Sequence, residues 1–210
     1  MKLYHSSGSP NARRVRFFVA DKGLDIELVP VDLGNKEQFS EAYRAINPRL
    51  QVPALVLDDG TTIAEVPAIW RYLEARFPEK PLLGRDAKEI GLIAMAERRA
   101  ELDGFMVTME AVRNAVPGLA GRALSGPHAY DQIPALVERS LKRIDNFYND
   151  LEAQLAGSTF VAGETFSVAD ITAFVAIDFA TAAAGKPLPA HHSATRRWYD
   201  QVASRPAARA

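Results

Sequence analysis

An α/β domain followed by an all-helical domain is the fold class this sequence predicts, and three observations predict it. Strand-like and helix-like periods alternate through residues 2–31. A hairpin signal follows at residues 54–64, and helical spacing takes over directly after it. Beyond a stretch with prolines and a glycine at residues 77–84, only the helical period recurs.

The elements follow in order. Lys2 to His5 alternates weakly and reads as a first strand. Ser9-Pro10 supplies an N-cap and a first helical residue. Ala12, Val15, Phe18, Val19 and Lys22 then recur at helical spacing, and Gly23 suits the position just past a helix end. Ile26 to Val31 reads as a second strand, which makes the opening a βαβ unit, and residues 38–45 as a further helical segment. Ala54-Leu55-Val56-Leu57 and Thr61-Thr62-Ile63-Ala64 flank Asp58-Asp59-Gly60, a hairpin signal. Val52-Pro53 stands directly before the first of these runs, where a residue that cannot donate to a ladder belongs at an edge, a strand start or a turn. Val66, Ile69, Trp70 and Leu73 place a helix start at or just after Glu65. Residues 1–77 therefore read as a thioredoxin-like domain.

Phe77-Pro78-Glu79-Lys80-Pro81-Leu82-Leu83-Gly84 reads as a linker, assigned to residues 78–85. Residues 86–210 read as the all-helical domain. Asp86 with Glu89 resembles a capping box, opening a long helix through Leu92, Met95, Leu102, Met106, Met109 and Val112 that stops at Val116-Pro117-Gly118. The connection from there to about Tyr130 is long enough to favour a functional loop over a tight turn. Leu136, Leu141, Ile144, Tyr148, Leu151 and Leu155 trace the next long helix. Ser167 with Asp170 three residues on, and Phe166 before Ile171, predict a capped and stapled helix in which Asp170 serves folding rather than catalysis. A final helix carries Trp198, Tyr199 and Val202.

Composition removes several classes of function. With 48% apolar residues the chain can bury a sizeable core, and a formal net charge of −1 gives no reason to expect nucleic acid or a membrane as partner. No apolar run reaches the length of a membrane span. The first residues lack a signal peptide's apolar core, so the expected location is cytoplasmic. There is no cysteine, so disulfides, thiolate metal sites and a cysteine nucleophile are excluded, and any thiol chemistry must use a thiol carried by a ligand. His5, His128, His191 and His192 form no triad and no metal-ligating spacing, and no metal is expected.

The ordered set Asn47-Pro48, Val52-Pro53-Ala54-Leu55 and Glu65 at a helix start resembles the glutathione-binding half of the soluble glutathione transferase family. The cap at Ser167 to Asp170 resembles that family's motif in its helical domain. Arg98 to Leu102, Arg113-Asn114 and Pro117 to Leu119 look like a theta-like microbial branch. The resemblance implies a Val52–Pro53 bond in the cis form, with the preceding backbone free to pair with the tripeptide. It also implies that Glu65 holds the γ-glutamyl ammonium, with glutathione as co-substrate. Two positions depart from the family pattern. Position 66 is Val rather than Ser, which leaves the backbone N–H of Val66 for the γ-glutamyl carboxylate but removes a hydroxyl bond of roughly 1.5–3 kcal/mol. Position 50 is Leu where the family has Gly.

Transfer of glutathione to an electrophile needs its thiolate, and a thiol of pKa near 8.5 is only about 3% ionised at pH 7. Lowering that pKa by two units takes roughly 2.7 kcal/mol, within reach of one charge-assisted hydrogen bond and a helix N-terminus. The donor must then sit at the start of the first helix. By its spacing from Arg14-Val15-Arg16, Ser9 matches the family's catalytic serine, while Asn11 matches a branch that sets asparagine near the sulfur. Ser9 can also simply cap the helix. Gln51 fits the family pattern for contact with the tripeptide, and Lys36 and Gln38 could reach it. The resemblance places the electrophile against Met106, Met109, Glu110 and Arg113, although methionines at helical spacing are usually core. It further implies a homodimer acting in detoxification. Three functions stay open: conjugation of glutathione to small hydrophobic electrophiles, a non-catalytic binding or assembly module, and a glutathione-dependent peroxidase or disulfide reductase.

Overall fold

A computed structural model describes all 210 residues. The chain forms two compact units: Met1–Lys80 with Leu124–His128 and Ala210, and Pro81–Ala123 with Ala129–Arg209.

In the first unit the strands are β1 (Lys2–His5), β2 (Glu27–Pro30), β3 (Ala54–Val56) and β4 (Thr62–Ala64), and the helices are α1 (Pro10–Lys22), α2 (Glu41–Ile46) and α3 (Val66–Arg76). The sheet order is β2-β1-β3-β4, with β1 parallel to β2 and the other pairs antiparallel. This is the mixed sheet of a thioredoxin-like domain. The hairpin closes through Leu57 N–H to Thr61 O at 2.8 Å and Gly60 N–H to Leu57 O at 3.1 Å, and Asp59 accepts from Thr61 N–H. The core stacks Phe18 on Trp70, with Leu3, Val15, Phe17, Leu55, Ile69 and Leu73 buried around them.

The first unit extends past Phe77, where the sequence places the domain end. The reason is a buried ammonium: Lys22 Nζ meets Glu74 Oε2 at 2.7 Å and the carbonyls of Glu79 and Lys80 at 2.9 and 3.1 Å. A lysine without solvent must be surrounded by acceptors, and here the acceptors come from the chain leaving the domain.

In the second unit α4 (Ala87–Arg99) passes through a π-helical turn (Ala100–Phe105) into α5 (Met106–Ala115), so the expected long helix is one rod with an interrupted hydrogen-bond ladder. The further helices are α6 (Ala135–Leu155), α7 (Val168–Ala184) and α8 (Ser193–Ala203). Helix α7 is buried at every residue from Val168 to Ile177, as befits a central helix that is apolar on all sides. Its N-terminus is closed by a full capping box. No helix is long and apolar enough to cross a membrane.

Candidate functional site

Strand register brings the candidate residues of the first unit to one end of the sheet. Tyr4 pairs with Ala54, and Ala54 pairs with Ala64. The end of β1, the Val52-Pro53 pair before β3 and Glu65 after β4 therefore lie side by side. Helices α1 and α3 both begin at this same edge, so two N-terminal dipoles face it.

At the start of α1, Ser9 Oγ accepts from Ala12 N–H at 3.3 Å. The sequence leaves capping and chemistry as alternatives for Ser9, and the geometry makes them compatible. A hydroxyl offers two acceptor positions and one donor, and only one acceptor position is used. Asn11 Oδ1 accepts from Arg14 Nη1 at 3.3 Å, which leaves the amide N–H groups of Asn11 unspent. Arg14 is fully buried and lies over the Trp70 ring at 5.1 Å. The loop before Ser9 is fixed by Arg16, which donates to Ser6 O at 3.0 Å and meets His5 Nδ1 at 3.3 Å. Burial, and then the Arg16 charge, lower the His5 imidazole below its ordinary value, so His5 is a neutral neighbour of the site.

The Val52–Pro53 bond is cis. The residue before it is held from beneath: Gln51 O accepts from Tyr43 Oη at 2.7 Å and from Asn47 Nδ2 at 2.8 Å. Burial pushes the Tyr43 phenol up to about 12, so it stays a donor at neutral pH. Tyr43 escaped notice in the sequence because nothing local distinguishes it from a core tyrosine. Leu50 adopts φ +57° while 4% exposed, so it takes up the left-handed conformation that glycine favours, and its side chain is packed. The Gln51 side chain donates to Ser125 Oγ at 2.9 Å.

Glu65 sits at φ +68°, an uncommon conformation for a residue with a side chain and one that clusters at functional positions. Its carboxylate is exposed and makes no bond within the protein. Ala68 and Ile69 both donate back to Glu65 O, and Pro67 has no N–H. The N–H of Val66 is thus the orphan donor of α3. The Val66 side chain is buried.

The four residues assigned to the electrophile lie on α5 in the second unit, and two of them are committed elsewhere. Glu110 accepts from Ser140 at 2.6 Å and from Arg139 at 3.2 Å, and Arg113 Nη2 donates to Arg122 O at 2.5 Å. Met106 is 46% exposed and Met109 is half-buried.

A mixed four-stranded sheet with a cis-proline corner, joined in one chain to a bundle of helices, defines the class of two-domain thioredoxin-like proteins. Residues 3–81 match the family model described as glutathione S-transferase, N-terminal domain, and residues 134–201 match glutathione S-transferase, C-terminal domain. Glutathione S-transferase 2 of Saccharomyces cerevisiae is 32% identical over 98% of this chain and 87% of its own length. The disulfide-bond oxidoreductase YfcG of Escherichia coli is 28% identical over 95% of this chain and 88% of that protein. A crystal structure of a glutathione S-transferase domain-containing protein from Marinobacter aquaeolei superposes with a TM-score of 0.90 at 35% identity, covering 99% of this chain and all of that one. The chain belongs to the glutathione S-transferase family.

Proposed function

We propose that the protein is a glutathione transferase that ionises the glutathione thiol at the start of α1 and adds it to a small hydrophobic electrophile. One observation carries this reading: four unspent polar groups lie at one end of the sheet, namely the Ser9 hydroxyl proton, the Asn11 amide, the Val66 N–H and the Glu65 carboxylate. Unsatisfied groups at two helix N-termini are a receptor for a zwitterion with two carboxylates and one ammonium. The γ-glutamyl ammonium pairs with Glu65 and its carboxylate with Val66 N–H. The cysteinyl unit lies along the backbone of Val52 beside Pro53, which delivers sulfur to Ser9 and Asn11.

The Ser9 O–H and an Asn11 N–H donate to the thiolate, and the α1 dipole adds to their effect. Together they hold the sulfur ionised at neutral pH. The thiol proton passes to water, the thiolate attacks the electrophilic carbon to form a C–S bond, and the bond to the leaving group breaks as that group takes the electron pair. With Glu110 and Arg113 tied to α6 and to the α5–α6 connection, selection of the electrophile falls to apolar surface. The exposed Leu92, Met95 and Leu102 along α4 and the π turn provide apolar surface on one side of the rod suited to a second copy of the chain.

Calorimetric titration with glutathione tests the assignment. Wild-type protein binds, and Glu65→Ala weakens binding at least tenfold, as expected for a lost bond to a charged group. Unchanged affinity in that variant would sink the binding mode. The free Asn11 amide and the likeness to YfcG favour a second reading, glutathione-dependent reduction of disulfides or peroxides. Turnover of hydroperoxides or mixed disulfides without any conjugation would replace the first reading with the second.

A further inference from the structure

The connection between α5 and α6 carries a short piece of chain that folds with the other unit. Leu124–His128 belongs to the first unit although the residues on both sides of it belong to the second. Ser125 Oγ accepts from Gln51 Nε2 at 2.9 Å across 74 residues of sequence. At Gly126, φ is +122°, and a Cβ there would stand 3.5 Å from Gln51 Nε2 and 3.7 Å from Arg49 O. The segment therefore runs along Arg49 to Gln51 at contact distance, with its backbone turned by a residue that only glycine fills without strain.

Two donor groups are left together there, and the neighbouring Arg49 carries a third. The Ser125 hydroxyl uses one acceptor position and keeps its proton, and the Gln51 amide keeps a second N–H. The Arg49 side chain is exposed and has no acceptor within the protein. No acidic side chain is bonded to any of the three. Such a cluster suits an anion, and its place in the fold says which one. With the γ-glutamyl end at Glu65 and Val66 and the cysteinyl unit at Val52, the tripeptide leaves the sheet on the Gln51 side, where its C-terminal carboxylate emerges.

We propose that Ser125 is a glutathione-binding residue: its hydroxyl donates to the glycyl carboxylate, and Leu124–His128 forms the outer wall of that subsite. Ser125 accepts from Gln51 while donating to the ligand, so it both orients the Gln51 amide and reads the free carboxylate. The inference rests on the reading of the sheet edge as a glutathione site, and the test separates the two.

The experiment is calorimetric titration of wild-type, Ser125→Ala and Ser125→Thr proteins with glutathione and with its glycyl monoethyl ester. Wild type prefers glutathione to the ester by about tenfold, the size expected for a hydrogen bond to a charged group. Ser125→Ala loses about that factor for glutathione and little for the ester, so the preference disappears, and Ser125→Thr restores it. Ser125 is exposed, so the alanine variant keeps its fold. Equal weakening of both ligands, or no change in either, overturns the role of Ser125 while leaving the site in place. Failure of wild type to bind either ligand at millimolar concentration overturns the glutathione reading itself, and this proposal with it.

Discussion

Helices α1 and α7 both begin on a serine N-cap, and the two serines have opposite surroundings. Ser9 Oγ accepts one N–H at 3.3 Å and keeps its proton, beside an asparagine amide with nothing to bind. Ser167 is fully buried in a closed network. Asp170 Oδ2 accepts from the Ser167 N–H at 2.8 Å and from its hydroxyl at 3.2 Å, while Oδ1 accepts from Val161 N–H at 2.9 Å and from Trp198 Nε1 at 2.8 Å. Both serines satisfy the same local rule for starting a helix. What separates a cap that is a candidate for chemistry from one that only folds is the number of polar groups still unspent around it.

The largest effect is expected where the network is closed. Asp170→Ala removes the acceptor of four buried donors, the Val161 N–H, the Ser167 N–H and hydroxyl, and Trp198 Nε1, and each one left unpaired costs about 1–3 kcal/mol. A loss of about 4 kcal/mol in denaturant-monitored stability is expected. The thiol pKa of bound glutathione, followed by thiolate absorbance in the folded protein, should not move. A loss below about 1 kcal/mol would show that the α7 cap is as open as the α1 cap, and the contrast would fail.

The next effect is a pH dependence belonging to α7. Burial raises the Asp170 carboxyl to about 6 and outweighs its four donors, which pull the other way. A folded pKa above the unfolded value of about 3.9 means the acid contributes most stability below about pH 4 and loses it as pH rises through 6. The two-unit gap corresponds to about 3 kcal/mol. The stability difference between wild type and Asp170→Asn should therefore shrink in favour of the variant by about that amount from pH 4 to pH 7. Thermal or urea unfolding of both proteins across this range measures it, and subtracting the variant cancels the other carboxylates. A constant difference would show that the donors hold Asp170 ionised throughout.

The smallest effect distinguishes the two tasks of Ser9. Ser9→Ala should cost about 1 kcal/mol of stability as a lost cap, whereas Ser9→Gly should be milder by most of that amount. Both variants lack the hydroxyl, so both should raise the pKa of the bound thiol by about one unit, equivalent to about 1.4 kcal/mol. Stability that follows the cap, with a thiol pKa that follows the hydroxyl, would establish the dual role. A thiol pKa unchanged in both variants would leave Ser9 as a cap, like Ser167.

Much of the fold and part of the site were legible in the residues themselves. Ser9-Pro10, Gly23 and Ser167 with Asp170 act within a turn of helix, and Asp59-Gly60 acts within a hairpin, so their geometry depends on neighbours in sequence. Their helices and hairpin stand where the local signals put them. The order Val52-Pro53, then Glu65 at a helix start, was readable for the same reason, because one hairpin separates them and its register places them side by side. The length of the connection after Pro117 marked it as more than a turn, but no local signal pointed to Ser125 within it.

The sequence by itself determined the α/β-then-helical order, the capped helix starts and the absence of any cysteine chemistry, since each follows from local backbone preference or composition; the cis Val52–Pro53 bond was implied only by the family resemblance, because local preference at a prolyl bond favours trans. Only the tertiary structure decided which polar groups remain unspent. It bonded Glu110 to Ser140 and Arg139, committed Arg113 to Arg122 O, brought Ser125 to Gln51, and carried the first unit out to Lys80 around a buried ammonium. Hydrogen-bond satisfaction is a property of burial and long-range neighbours, and a linear pattern contains neither.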